Sequence, residues 1–271
     1  MDAVQNFRHW DALAETFGTE LRATTKCRTI KLLEVSALAR RLREVAPVGR
    51  VLEVGCGNAF NGVALCRALP GLRWVGCDAV PRMIENARRA IAREESAVAS
   101  RMEVLVADAL DLGRLAGRGV DAVYTDRCLI NLASLEEQVE AVRAIAALLP
   151  PGGCFLMLEN SRQTHARLND AREALGLPRR PPAAYNVFID EDAFLPRVAD
   201  VLRLEAVDDF GSLHDLLLYA IKPAAAPGRD IVYDDAVMEA ATALSMALDA
   251  GGHAFGSFGQ NRLWCFRRSG P

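Results

Sequence analysis

The chain has 271 residues, 51% hydrophobic and 25% charged, with a mean hydropathy of +0.08, so it can bury a sizeable core and is neither a disordered segment nor a fibre. That length suits one α/β unit with helical additions better than two domains joined by a hinge. Lys plus Arg (32) against Asp plus Glu (35) leaves a net charge of −3, which argues against a polyanion binder, and no nucleic-acid partner is expected.

From Phe7 to about Leu42 the apolar spacing is helical, with Phe7, Trp10, Leu13, Ala14 and Phe17 in a first run and Ile30, Leu33, Ala37 and Leu38 in a second. Gly18 and Thr24-Thr25 separate the two helices. Arg50–Gly55 is a short apolar run ending in glycine, a buried strand opening onto a turn. A helix over Asn61–Leu69, a strand over Leu72–Asp78 and a helix begun by Pro81 complete one βαβ unit. Met102–Asp108 and Val120–Thr125 read as the third and fourth strands. Ser134 and Glu137 have capping-box spacing ahead of a helix that Pro150-Pro151-Gly-Gly stops, and Cys154–Asn160 is a fifth buried strand. Beyond it come a helix over Arg162–Leu175, a turn at 176–182, an aromatic stretch at Tyr185–Asp190 and a helix after Asp190. Strand candidates at Leu202–Val207 and Leu213–Ile221, a helix near Asp234–Leu248 and a last strand near Arg262–Phe266 follow. This alternation predicts a largely parallel sheet covered on both faces.

The seven cysteines (27, 56, 66, 77, 128, 154, 265) are odd in number and form no C-x-x-C pair, so neither a zinc knuckle nor a disulfide framework is written here, and reduced thiols in a cytoplasmic protein are expected. No apolar h-region opens the chain and no run approaches the roughly 18 apolar residues of a membrane span, so a soluble, unexported protein without a membrane partner is expected.

Ligands of open α/β sheets sit outside the carboxyl ends of strands. The first such turn is Glu53-Val-Gly55-Cys56-Gly57-Asn-Ala59, where two glycines let backbone approach a ligand and Glu53 can accept from an amine. By itself it could be no more than a tight strand-to-helix turn, with Cys56 a small packing residue. Asp78 ends the second strand, 21 residues after Gly57, where an acidic group accepts both hydroxyls of a ribose. Asp108 ends the third and can read an adenine amine, or cap a helix. A dinucleotide fold needs G-x-G-x-x-G, and the third glycine position is Phe60; no P-loop occurs either. The signature therefore suits a ribonucleoside with a cationic tail and no phosphate.

The E-x-G-x-G-x-A loop, Asp78 and Asp108, together with the run Asp78-x-x-x-x-Met83-Ile-x-x-Ala-Arg, resemble the class I S-adenosylmethionine-dependent methyltransferase family over about residues 50–160, with Ala59 where a third glycine is usual. The resemblance implies a three-layer Rossmann-like α/β sheet of order 3-2-1-4-5-7-6 with strand 7 antiparallel, the last strand being Arg262–Arg268. It implies a helical cover over 1–45, with Trp10 closing on the cofactor, and a methyltransferase domain over 46–271 whose insertions in about 161–260 cap the substrate. Gly55, Cys56 and Gly57 would face S-adenosyl-L-methionine, with S-adenosyl-L-homocysteine the product. Asp78 would hold the ribose, Met83 would pack beside the adenine, and Asp108 with Ala109 would read its edge. Glu53 and Asp126 would complete the cofactor set.

The run Asp126-Arg127-Cys128-Leu-Ile-Asn131, then Glu159-Asn160-Ser161 and Leu168-Asn169-x-x-Arg172, looks like the branch that methylates small metabolites or sugars, so a sugar, nucleotide or natural-product intermediate is the expected acceptor. The polar residues there, Arg127, Asn131, Asn160, Asn169 and Arg172, with Tyr185 and Asn186 in a roofing segment, are candidates to contact the acceptor. Asp126 and Arg127 also read as a solvated ion pair, and His165, Asn169 and Arg172 as a solvated helix face. Asp126, Glu159, His165 and His214 are the candidate bases for in-line transfer to oxygen or nitrogen. Asp126, Glu159 and Asn160 are placed as in the Mg2+-dependent catechol type, yet three oxygen ligands from separate segments are a weak signal, and no metal is expected. The rival readings are a non-catalytic nucleoside-binding or regulatory module and an NAD-dependent oxidoreductase. A small-molecule acceptor is the expected partner, and self-association into a homodimer is left open.

Overall fold

Strand β1 (Arg50–Val54) shows how the sheet is made: Val51 joins the apolar cluster on one face while Leu52 and Val54 join that on the other. A strand buried on both sides needs helices above and below it, which a parallel α/β sheet provides. The computed structural model has this form; it describes residues 3–46, 48–248 and 253–270, so both ends of the expected 1–45 and 46–271 division, residues 1 and 271, lie outside the described residues.

Two leading helices, α1 (Ala3–Phe17) and α2 (Arg28–Val45), precede β1. The alternation continues with α3 (Phe60–Ala68), β2 (Arg73–Asp78), α4 (Pro81–Ile91), the short α5 (Ser96–Ala99), β3 (Met102–Val106), β4 (Ala122–Asp126), α6 (Leu135–Leu148) and β5 (Cys154–Asn160). Next come α7 (Arg162–Ala174), α8 (Glu191–Val198), β6 (Leu202–Asp208), α9 (Ser212–Leu216), α10 (Lys222–Ala225), α11 (Ala236–Leu248) and β7 (Asn261–Arg268). The seven strands are ordered β3-β2-β1-β4-β5-β7-β6, with β7 antiparallel to both neighbours, the order and direction that the resemblance implied.

The parallel strands end level: Val54 pairs with Cys77 and with Thr125, Asp78 with Val106, and Asp126 with Leu158. The turns after them therefore gather along one edge. Capping fixes two of the helices there. Ser134 Oγ accepts the Glu137 N–H at 3.2 Å while the Glu137 carboxylate returns to the Ala133 N–H at 2.8 Å, and Ser161 Oγ accepts the Thr164 N–H at 3.2 Å.

The structure differs from the sequence expectation at Leu213–Ile221, which is helical: α9 runs into a wider π turn at Leu217–Ile221 and then α10. A short apolar run does not distinguish a buried strand from a buried helix, and burial of His214, Asp215, Leu218 and Ala220 decided for the helix. The leading helices also divide. Helix α1 rests on α4 through a small cluster of Ala14, Val80 and Met83 flanked by Trp10 and Phe17, whereas Leu33, Ala37, Leu38 and Leu42 of α2 belong to the core over the sheet. All seven cysteines are free thiols, and among the described residues no helix is long and apolar enough to cross a membrane.

Gly62 sets how closely α3 approaches β2, because a Cβ there would stand 2.3 Å from the Trp74 ring. Overpacking costs about 1–3 kcal/mol, more than the ~1 kcal/mol that alanine gains over glycine in a helix. Gly62→Ala is therefore expected to lower the midpoint of thermal unfolding, and a raised midpoint would contradict the close packing.

Candidate active site

The turn after β1 bends sharply, with Gly55 at φ +79°, Gly57 at φ +52° and Ala59 at φ +67°. A left-handed conformation costs a residue with a Cβ roughly 1–2 kcal/mol, so Ala59, fully buried where the family resemblance would put glycine, carries local strain. At Gly55 no side chain fits at all: a Cβ would lie 2.4 Å from Cys128 Sγ. Asp78 ties this turn to β2. Its Oδ2 accepts the Gly57 N–H at 2.9 Å and its Oδ1 the Val80 N–H at 2.9 Å, and burial raises its carboxyl against those two bonds.

A cavity of about 350 Å3 opens at this edge, inside the size range of small-molecule sites. It brings together Trp10, Glu53, Gly55, Cys56, Gly57, Asp78, Met83, Asp108, Ala109, Asp126, Arg127, Asn131, Asn160, Tyr185 and Asn186 from the residues singled out in the sequence. Asp108 is exposed at its rim, its Oδ1 accepting the Leu110 N–H at 2.9 Å.

Behind the cavity the polar groups form one buried network. Lys31 Nζ lies 2.5 Å from Glu34 Oε2 and 2.6 Å from Asp126 Oδ2, and Arg127 Nε lies 3.0 Å from Glu34 Oε1. Asn61 Nδ2 donates to Asp126 Oδ2 at 2.8 Å and to Glu53 Oε1 at 2.9 Å. Tyr124 Oη donates to Glu53 Oε2 at 2.7 Å while accepting from Trp74 Nε1 at 2.9 Å. Asp126 and Arg127 are thus no solvated pair. Burial opposes ionisation of Asp126, but Lys31 and Arg127 outweigh it and hold the carboxyl below its usual range. For Glu53 burial outweighs the hydrogen bonds from Tyr124 and Asn61 and the pull of Lys31, and it pushes the carboxyl up to about 8.

The roof is amide and aromatic. Asn131 Nδ2 donates to the Arg127 carbonyl at 2.7 Å, Asn186 Nδ2 donates to Asn131 Oδ1 at 3.0 Å, and Asn6 Nδ2 donates to the Asn131 carbonyl. Tyr185 stacks on His9 with ring centroids 4.5 Å apart and meets Trp10 edge-on at 5.9 Å. Helix α1 is joined to the 185–186 segment across the cavity in this way.

Five candidates fall outside the cavity lining. Glu159 accepts the N–H groups of Cys128, Leu129 and Ile130 at 3.1, 3.0 and 3.2 Å, so it anchors the turn after β4 instead of facing a ligand. Burial pushes it up to about 7 against those bonds. His165, Asn169 and Arg172 are buried rather than solvated: His165 Nε2 and Asn169 Nδ2 reach the Arg180 carbonyl at 2.8 and 3.1 Å, and Arg172 Nε the Pro178 carbonyl at 3.0 Å. They clamp the proline-rich turn onto α7. His214 pairs through Nδ1 with Asp215 at 2.9 Å and through Nε2 with Thr29 Oγ1 at 3.1 Å; burial opposes its charge, yet the Asp215 and Cys27 contacts raise it to about 9. Of the oxygen ligands considered for Mg2+, Glu159 is committed to backbone and Asp126 Oδ2 to Lys31. Among the described residues no group of three His, Cys, Asp or Glu could hold a metal ion.

Lys31, Asn61 and Asn6 were missed in the sequence. The available signal for Lys31 was its place with Glu34, three residues on, within the apolar spacing of Ile30, Leu33, Ala37 and Leu38, where a cation has to find a buried partner.

The unusual carboxyl in this network gives a pH dependence. Glu53 retains its proton up to about 8 in the folded chain but releases it near 4.5 when unfolded, so its contribution is most favourable below 4.5 and is lost as pH rises to about 8. Urea unfolding should therefore show stability falling between pH 5 and 8, by on the order of 3 kcal/mol from this group, and Glu53→Gln should remove that share of the slope while the shares of Glu159 and His214 remain. An unchanged slope in the variant would refute the assignment.

Residues 51–153 match the family described as a methyltransferase domain. No curated protein matches the sequence. Among solved structures, a chain from the complex between the Haloferax volcanii Trm112 methyltransferase activator and a methyltransferase has a TM-score of 0.60 and 19% identity, over 96% of this chain and 98% of that one. The N-methyltransferase NodS from Bradyrhizobium japonicum WM9, in complex with S-adenosyl-L-homocysteine, has a TM-score of 0.57 and 13% identity, over 98% and 99%. The mitomycin 7-O-methyltransferase MmcR has 0.58 and 17%, over 99% of this chain and 61% of that one. At such identities the likeness is one of fold. Residues 51–153 thus match a methyltransferase domain, and the glycine turn with Asp78 beside it and the β3-β2-β1-β4-β5-β7-β6 sheet give the chain the Rossmann-like fold of the class I S-adenosylmethionine-dependent methyltransferases.

Proposed function

We propose that the protein transfers a methyl group from S-adenosyl-L-methionine to an oxygen or nitrogen of a polar small molecule. The observation that carries this reading is the cavity at the strand ends, where the groups left without partners are mainly acceptors: Asn58 Oδ1, Asn61 Oδ1 and Asp126 Oδ1, beside Asp78 and Glu53. An acceptor-rich lining next to glycine backbone suits a cationic ligand rich in O–H and N–H donors. Asp78 would accept the ribose hydroxyls with its remaining lone pairs, Met83 and Val80 would pack on the base, and Glu53 with Asn61 would receive the ammonium end. The bound cofactor supplies a methyl made electrophilic by its sulfonium. The remaining work for the protein is to align the acceptor and exclude water, effects that reach roughly 7–11 kcal/mol. The Trp10–Tyr185 contact and the Asn6–Asn131–Asn186 chain close the cavity from α1 to the 185–186 segment and serve that exclusion.

Neither His165 nor His214 lines the cavity, and Lys31 and Arg127 hold the Asp126 carboxyl below its usual range, which makes it a weak base. The reading therefore favours an acceptor that brings its own lone pair, an amine or an acidic hydroxyl, over an aliphatic alcohol that must lose its proton during attack. Neutral amides (Asn131, Asn160, Asn186) and the Arg127–Glu34 ion pair support a polar acceptor over a strongly anionic one.

Two charge-assisted bonds to a ribose contribute about 3–6 kcal/mol, so Asp78→Ala is expected to weaken S-adenosyl-L-homocysteine at least about a hundredfold in titration calorimetry. The same variant should abolish transfer of labelled methyl from the cofactor to a metabolite pool. Tight binding without transfer to any amine, phenol or hydroxy acid would favour the non-catalytic nucleoside-binding module instead.

A further inference from the structure

A second cavity, of about 490 Å3, lies between α6, α7 and the chain leading into α8. Its walls are largely apolar, with Leu135, Ala166, Val187, Phe188 and Ala193 prominent. One stretch of backbone separates it from the cofactor cavity: Tyr185 and Asn186 line the first space, Val187 and Phe188 the second. That partition is well fixed. The Val187 N–H donates to the Ile130 carbonyl at 2.7 Å, Gln138 Nε2 donates to the Val187 carbonyl at 2.7 Å, and the Ile189 N–H donates to the Asn160 carbonyl at 2.9 Å.

The chemistry of the walls narrows what would fit. His165 is 6% exposed, and its Nε2–H donates to the Arg180 carbonyl at 2.8 Å, so Nδ1 is the lone-pair nitrogen of a neutral ring. Burial lowers this imidazole's pKa and keeps it uncharged. Nδ1 has no partner among the protein atoms, an unmet acceptor that a donor on an occupant would satisfy. The Phe188 ring meets the His165 ring edge-on, centroids 5.0 Å apart at 84°. Charges at the mouth are already matched, Arg162 with Asp190 and Arg179 with Asp170 and Glu173, so nothing there calls for an ion.

From this geometry we propose that the second cavity is a binding site for a neutral, flat aromatic molecule carrying one N–H or O–H donor, the ring packing among Phe188, Val187 and Leu135 and the donor directed to His165. The site is distinct from the cofactor cavity and stands whether or not the chain transfers methyl groups.

The test is a fluorine NMR titration of the full chain with 5-fluoroindole, alone and with saturating S-adenosyl-L-homocysteine. Saturable binding below about 1 mM is expected in both conditions. Ala166→Phe and, from the opposite wall, Ala193→Leu fill the cavity and should each weaken the probe by about tenfold or more, with thermal unfolding confirming that at least one of them folds. His165→Phe removes the acceptor but keeps the ring, and should weaken 5-fluoroindole while leaving fluorobenzene unaffected. Absence of saturable binding, displacement of the probe by the homocysteine compound, or indifference to the folded filling variant would overturn the assignment.

Discussion

The Asp126 carboxylate ends a central strand whose residues are all buried, and ionised groups are not stable there alone. Its ionisation is held by Lys31, which reaches it from α2, and Lys31 is itself shared with Glu34 one turn along that helix. Breaking one partner of such a buried pair costs about 3–5 kcal/mol, so the position of α2 over the sheet is tied to the end of β4 by charge as well as by apolar packing. Arg127 extends the set, and Asn261 at the start of β7 donates to Glu34 Oε1 at 2.5 Å, so the antiparallel strand inserted between β5 and β6 is tied to the same cluster. A ligand site at the strand ends thus has a floor whose members fix one another.

The turn after β4 is held from two directions. Above, Arg127 takes φ +54°, a left-handed conformation that a side-chain-bearing residue adopts only under constraint. Below, Glu159 gathers the next three backbone N–H groups, as an anion-binding turn would. The two carboxylates at the ends of β4 and β5 therefore hold geometry, one through Lys31 and one through backbone. A carboxylate at a buried strand end invites a catalytic reading from sequence, and here both have structural partners that sequence spacing does not reveal.

What was legible follows from how local each signal is. The glycine turn, Asp78 and the strand alternation depend on neighbours within one βαβ unit, and for them the sequence spacing and the structure agree. Ser134 with Glu137 is local too, although the Glu137 carboxylate takes the N–H of Ala133 instead of that of Ser134. His165, Asn169 and Arg172 were visible as a polar stripe, but their partners, the carbonyls of Arg180 and Pro178, lie in an irregular turn that no periodicity places. Leu213–Ile221 failed for a related reason: its apolar run is compatible with either secondary structure, and the packing that buries it is remote, His214 for one meeting Thr29 185 residues away. Asn6 had no signal, since its role exists only once α1 crosses to Asn131.

The two leading helices differ in how firmly they are attached, and this has a consequence for access. Helix α2 is bound by buried ions and by Leu33, Ala37, Leu38 and Leu42 in the main core. Helix α1 rests on a cluster with only Ala14, Ala23, Val80 and Met83 buried, supplemented by amide bonds and ring contacts at the cavity roof. Local opening free energy falls with the apolar surface an element buries, so of the two it is α1 that can lift at low cost while the floor stays in place. On the function proposed above, a rigid floor with a lightly held cover would let ligand enter and leave without disturbing the charges that fix the strand ends, and the same closing contacts would shut out water once the site is filled.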